Sequence, residues 1–331
     1  MGALSFTPSG IYCAAGDFHI DPWRPVPRAL ITHGHADHAR PGMGAYLATD
    51  LAAPVMRHRL GDIPLDTIPY GEPRQIGGAT VSFHPAGHVP GAAQIRVEVA
   101  GEVWVASGDY KLVDDGLSTP FEPVSCHHFI TESTFGLPVF RWQPQEVVAD
   151  EIGRWWTACA TAGKTAFLGC YALGKAQRLL SLLDPEQGPI LTHTAIENTN
   201  AVLRNQGLAL PPTVMAGPDL DPKAHKGAIV LCPPSAIGSA WARKFGAQET
   251  AFASGWMALR GIRRRRAGDR GFVISDHADW PGLLNAVRET GAENVYVTHG
   301  YTEIFARYLN ENGWNAQVIP TEFGGEEEDA A

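Results

Sequence analysis

The chain has 331 residues, 44% hydrophobic and 18% charged, which suits a folded enzyme of two domains with a large core. It has no apolar run of about 18 residues and no basic N-terminal segment followed by an apolar stretch, so neither a membrane span nor a secretory leader is expected. The net charge of -9 argues against binding nucleic acid by bulk electrostatics, but not against a polyanion held through bound metal ions and a local basic patch.

The elements predicted in chain order are short apolar runs that end in polar clusters. Ala29-Leu30-Ile31-Thr32 leads into His33-Gly34-His35-Ala36-Asp37-His38. Val103-Trp104-Val105-Ala106 leads into Ser107-Gly108-Asp109, and Phe129-Ile130-Thr131 into Glu132-Ser133-Thr134. From about 144 to 160, Val147, Val148, Ile152, Trp155, Trp156 and Cys159 fit one face of a helix opened by Pro144, and the two tryptophans are read as core. Thr165–Cys170 reads as a strand, Gly174–Leu183 as a helix stopped by Asp184-Pro185, and 190–192, 195–205 and 229–231 continue the alternation. Phe272-Val273-Ile274 then leads into Ser275-Asp276-His277, and Val295-Tyr296-Val297 into Thr298-His299-Gly300. Reactive groups beyond several strand ends are the layout of an α/β active site. The expected organisation is a catalytic domain built from 1–137 and 253–331, with a second α/β domain inserted at 138–252.

The densest chemistry lies at His33, His35, Asp37 and His38. In extended backbone, residues two apart point the same way, so His33 and His35 can face one metal, and the following turn lets Asp37 and His38 address a second. Imidazole and carboxylate donors suit zinc, and also manganese or iron. His88, in Pro85-Ala86-Gly87-His88, and Asp109 are weak signals singly; a lone Asp after Gly is usually a turn residue. The five cysteines are odd in number and widely spaced, against disulfides or a thiolate zinc site and in favour of a cytoplasmic setting. Arg260, Arg263, Arg264, Arg265, Arg266 and Arg270 form a basic run that reads either as a solvated turn or as a phosphate-binding patch, and Glu326–Asp329 as an acidic disordered tail.

Taken in order, the H-x-H-x-D-H segment, His88 and Asp109 resemble the metallo-β-lactamase superfamily, with Asp21 or Asp17 matching its early structural Asp. Thr131–Gly136, Ser275–Asp279, Thr298–Gly300 and Tyr171–Gln177 are similar to motifs of its β-CASP nuclease branch. The resemblance covers almost the whole chain. It implies an αββα sandwich with an inserted β-CASP domain and two divalent ions, zinc with manganese as the alternative. His33, His35, His88 and Asp109 would hold one ion; Asp37, His38, Asp109 and His299 would hold the other. It further implies a hydroxide between the ions attacking phosphorus, with His277 as general acid and Glu132 orienting it. By its residues alone, Glu132 reads as a cap or turn carboxylate. Phosphate contacts are expected from Ser275, Gly174, Lys175 and Arg263–Arg265, with a solvated helix residue as the alternative for Lys175.

Segments 11–25 and 275–282 look like bacterial ligase-associated DNA exonucleases. That resemblance implies DNA repair at DNA ends, with a DNA ligase and a helicase as associated partners. His299 leans instead toward the RNA-processing members, so a β-CASP ribonuclease is the alternative. A thioester or lactone hydrolase on the same metal cluster is the alternative of a different class.

Overall fold

The computed structural model describes residues 2–261, 270–319 and 321. The chain divides into two units: Met1–Phe140 with His277–Asp329, and Arg141–Asp276. Arg263, Arg264, Arg265 and Arg266 and the acidic tail lie outside the described residues.

The first unit contains two sheets. One runs in spatial order through strands Ser5–Thr7, Gly10–Cys13, Phe18–Ile20, Ala29–Leu30, Tyr46–Thr49 and Leu65–Ile68, antiparallel for the first three and parallel thereafter. The other runs from Asn315–Val318 through Asn294–Gly300, His128–Ser133, Glu102–Ala106, Ala93–Val99 and Ala79–Pro85 to Arg74–Ile76. Its first four strands are parallel and the remainder antiparallel.

Side chains alternate across a strand, so each sheet serves two cores. Trp104, Ala106 and Ile130 pack with Phe18, Leu30, Leu47, Phe83 and Ile95 between the sheets. Their neighbours Val105 and Phe129 face the other way, with Val295 and Val297, onto Leu283 and Val287 of helix Trp280–Thr290 and Phe305 and Leu309 of helix Thr302–Glu311. On the far side of the first sheet, Ala29, Ile31 and Ala48 pack on Met56 of helix Ala53–Leu60. The layers are therefore helix, sheet, sheet, helix. Burial on both faces explains why these strands read as continuous apolar runs.

The second unit is a six-stranded, wholly parallel sheet in the order Val214–Met215, Ile190–Thr192, Ile229–Cys232, Thr165–Gly169, Gln248–Ala253, Arg270–Phe272. Helix Gln145–Thr161 buries Val148, Ile152, Trp155, Trp156 and Cys159 on one face of it, whereas Val147 is exposed. Both tryptophans are core. The second boundary falls at Asp276 rather than 252, because Gln248–Ala253 and Arg270–Phe272 pair as the last two strands of this sheet. The strand expected at 272–274 ends at Phe272, and 273–276 have no regular structure. Among the described residues no helix is long and apolar enough to cross a membrane.

Candidate metal centre

The His-rich segment starts where strand Ala29–Leu30 ends, and the first unit's other strands deliver the remaining groups. His88 follows strand Ala79–Pro85, Asp109 follows Glu102–Ala106, Glu132 lies within His128–Ser133, and His299 within Asn294–Gly300. The structure brings together His33, His35, His88 and Asp109 as one possible ligand group and Asp37, His38 and His299 as another, each with its donor atoms within 4.8 Å of one another. Asp109, Glu132 and His277 form a third group on the same criterion.

Asp109 belongs to the first and third groups and lies beside His38 of the second. Its Oδ2 lies 3.5 Å from His33 Nε2, 3.4 Å from His38 Nε2 and 3.7 Å from His88 Nε2. Its Oδ1 is buried and hydrogen-bonds to no group among the described residues. A buried carboxylate oxygen left in that condition is costly unless a cation answers it. His35 Nδ1 faces both His33 Nε2 and His88 Nε2 at 3.1 Å, and Asp37 Oδ2 is 3.6 Å from His38 Nε2. Nitrogen and oxygen donors converging in this way fit divalent cations of the zinc or manganese type.

The electrostatics set the buried imidazoles apart from one another. Burial, reinforced by His38, holds His33 well below the ordinary imidazole range, and burial pushes His299 down to about 4. Both are therefore neutral near pH 7, the form in which an imidazole binds a metal. Burial opposes charge on Asp109, but His38 and His277 outweigh it and keep its carboxyl well below the usual range. Burial likewise opposes charge on His38, yet Asp109, Asp37 and Asp21 together hold it well above its ordinary value. Three carboxylates thus project a negative field onto one buried imidazole.

Supporting residues fix these groups. Asp21 accepts from His38 Nδ1 at 2.7 Å, from the Thr32 amide at 2.8 Å and from the Thr32 hydroxyl at 2.6 Å. Asp17 is exposed and accepts from the Tyr12 hydroxyl, so Asp21 is the carboxylate that supports the site. Arg59 donates to the carbonyl of Gly34 at 2.6 Å, and Arg40 to that of Asp37 at 3.0 Å. Gly108 precedes Asp109 with φ +56°, and a Cβ there would stand 2.7 Å from Thr32. Only glycine fits both constraints.

His299 adopts φ +55°, the left-handed region that β-strand residues avoid. Ser133 holds it there by donating to the carbonyls of Thr298, at 3.1 Å, and His299. Beside the ligands, Glu132 accepts from His277 Nδ1 at 2.8 Å through one oxygen and from the Tyr110 amide at 2.8 Å through the other. Burial raises the Glu132 carboxyl above its usual range, and the Asp109 charge adds to this against the pull of His277.

Three of the expected phosphate contacts, Ser275, Gly174 and Lys175, lie in the second unit. Ser275 is buried, and the Gly174 amide already donates to Gln177 Oε1 at 2.7 Å. Lys175 is fully buried with Nζ 3.8 Å from Asp276. Thr32 and Arg59 were not singled out from sequence; their polar side chains carry no local signal, and their partners Asp21 and Gly34 lie 11 and 25 positions away.

The chain is similar to a "Probable DNA ligase" of Opitutus terrae. The two are 31% identical over 314 residues, 94% of this chain but 30% of that protein. It also resembles "Endoribonuclease YSH1" of Kluyveromyces lactis, 32% identical over 122 residues, and "Cleavage and polyadenylation specificity factor 73" of Drosophila melanogaster, 30% identical over 122 residues. These two matches take in 36% of this chain and 16% and 18% of the respective relatives. The chain thus spans less than a third of each of these relatives. No protein-family model matches it. A crystal structure of a protein of unknown function from Enterococcus faecalis shares the fold, with a TM-score of 0.59 at 11% identity over 90% of this chain and 80% of that one.

Proposed function

We propose that this chain is a two-metal phosphodiesterase of the β-CASP branch of the metallo-β-lactamase superfamily, acting as an exonuclease on DNA in repair. The observation that carries the reading is the convergence of two ligand groups and the His277–Glu132 pair on one carboxylate, Asp109. His33, His35, His88 and Asp109 would hold one divalent cation, and Asp37, His38 and His299, with Asp109 shared, the other. Two such cations, when bound, acidify water and neutralise charge at phosphorus.

The remaining chemistry belongs to the protein. A water that has given a proton to solvent forms a new bond to phosphorus as the bond to the leaving sugar oxygen breaks. That oxygen is a poor leaving group unless it takes a proton. Glu132 binds Nδ1 of His277, which leaves Nε2 as the ring atom that donates the proton, so the sugar departs as an alcohol. Glu132 also accepts from Tyr110, the neighbour of Asp109, so one carboxylate sets the acid relative to the ligand loop. Asp37, half-buried beside His38, completes the rim of the second ligand group and helps to orient the attacking water.

DNA is favoured because the relative matched over 94% of the chain is named a probable DNA ligase. A DNA ligase is for the same reason the partner we propose. The second reading, a ribonuclease, draws on the shorter matches to proteins named endoribonucleases.

The test is end-labelled single- and double-stranded DNA and RNA offered side by side with zinc or manganese, with product ladders read for direction. Stepwise shortening of DNA is the expected result. Preferential cleavage of RNA would establish the second reading. Hydrolysis of a thioester with neither nucleic acid cut would overturn both.

A further inference from the structure

Asp109, Glu132 and His277 all belong to the first unit, and one donor atom from each lies within 4.8 Å of the others. The three are buried, at 5%, 1% and 4% exposed. The Oδ2 atom of Asp109 is the one that faces His33, His38 and His88. Its Oδ1 atom is buried as well and hydrogen-bonds to no group among the described residues. Glu132 Oε2 and His277 Nδ1 stand 2.8 Å apart, and the His277 ring centre lies 4.6 Å from that of His88.

A carboxylate–imidazole contact of that length holds one proton between its two atoms. A divalent cation can take the place of that proton. Two donors on a tetrahedral zinc, each about 2.0 Å from it, stand about 3.3 Å apart, so the pair needs to widen by only about half an ångström.

This group is the poorest of the three and fills last. The group of His33 has four donors that need give up no such contact. The group of Glu132 has three, shares Asp109 and loses a hydrogen bond when a cation enters. Zinc binds nitrogen and oxygen donors more tightly than manganese, so it is the ion that enters a poor site when in excess.

We propose that Asp109, Glu132 and His277 form a third, inhibitory cation site that takes zinc. Asp109 Oδ1, Glu132 Oε2 and His277 Nδ1 are the donors, and the proton at Nδ1 leaves to solvent. With Nδ1 on a cation, loss of the Nε2 proton would make an imidazolate in place of a neutral ring, so His277 becomes a far weaker acid. The proposal rests on the two-metal reading with His277 as general acid.

The test titrates protein that holds two zinc ions per chain with further zinc, followed by calorimetry. One more equivalent should bind, more weakly than the first two, and it should be absent from His277→Ala and from Glu132→Gln. In parallel, turnover of DNA by wild type should fall at least about tenfold as that equivalent binds. Cleavage of a p-nitrophenyl phosphodiester, whose leaving group departs without a proton, should stay within about twofold.

No third equivalent in wild type, or one that both variants retain, overturns the site. Equal inhibition on both substrates overturns the inhibitory role. If His277→Ala without excess zinc slows both substrates alike, the acid reading fails and the inhibitory role with it. Wild type that never holds two zinc ions sinks the two-metal reading and this proposal together. Should one variant not fold, as read by circular dichroism, the other carries the same comparison.

Discussion

Asp21 and His38 are joined by a 2.7 Å contact between a buried carboxylate oxygen and Nδ1 of a buried imidazole, with φ of Asp21 at +41°. The contact fixes which ring nitrogen carries the proton and turns Nε2 toward Asp37 and Asp109. Carboxylates that orient a ligating histidine in this way raise its basicity and its affinity for metal.

Asp21→Asn should therefore weaken metal binding by about 10- to 100-fold while leaving every proposed ligand in place. Titration of the apoprotein with zinc, followed by calorimetry, measures this. An unchanged affinity would mean that Asp21 supports only the fold.

Asp109→Ala removes the carboxylate that we propose both ligand groups share. It should abolish turnover and reduce bound metal in both groups, as read by elemental analysis after dialysis. Two metals per chain in the variant would rule out a shared role for Asp109.

Ser133→Ala deletes the hydroxyl that holds the carbonyls of Thr298 and His299. The loss of a buried hydrogen bond predicts a destabilisation of about 1 kcal/mol in urea unfolding. Because His299 sits in a strained backbone conformation, a second effect is expected: weaker binding in the group with Asp37 and His38 than in the group with His88. Equal weakening of both would argue for a general loss of structure.

In the second unit, burial would push the Glu197 carboxyl up, but hydrogen bonds from Thr192, Thr213, Arg204 and Asn200 outweigh it and hold the group below its ordinary 4.5. A depressed folded-state pKa contributes stability that is full above the unfolded-state value and is lost as pH falls through the folded one. Wild type should therefore exceed Glu197→Gln in stability by a constant margin above about pH 6, and the margin should shrink below about 4.5. A margin independent of pH would mean that the hydrogen bonds hold Glu197 equally well when protonated.

The convergence of the His-rich segment was legible in sequence because its information is local. His33 and His35 alternate along extended chain past a strand, and metal-ligand chemistry restricts which residue types are useful there. The strands were legible for a similar reason, since burial on both faces writes an unbroken apolar run. The helix of Trp155 and Trp156 was legible from its 3.6-residue period.

What only the tertiary structure decided are the relations between distant residues. Sequence left Asp17 and Asp21 as rivals; burial and the contact to His38 separate them. It left Lys175 as either a phosphate-binding cation or a solvated helix residue; the fold encloses that ammonium beside Asp276, about a hundred positions away along the chain. It placed the domain boundary near 252, yet the last strand of the second unit's sheet forms only after that point. The His277–Glu132 bond spans 145 positions. Periodicity and ligand type are properties of a few neighbouring residues, whereas burial and charge pairing depend on which distant segment arrives alongside, and the folded chain alone determines that.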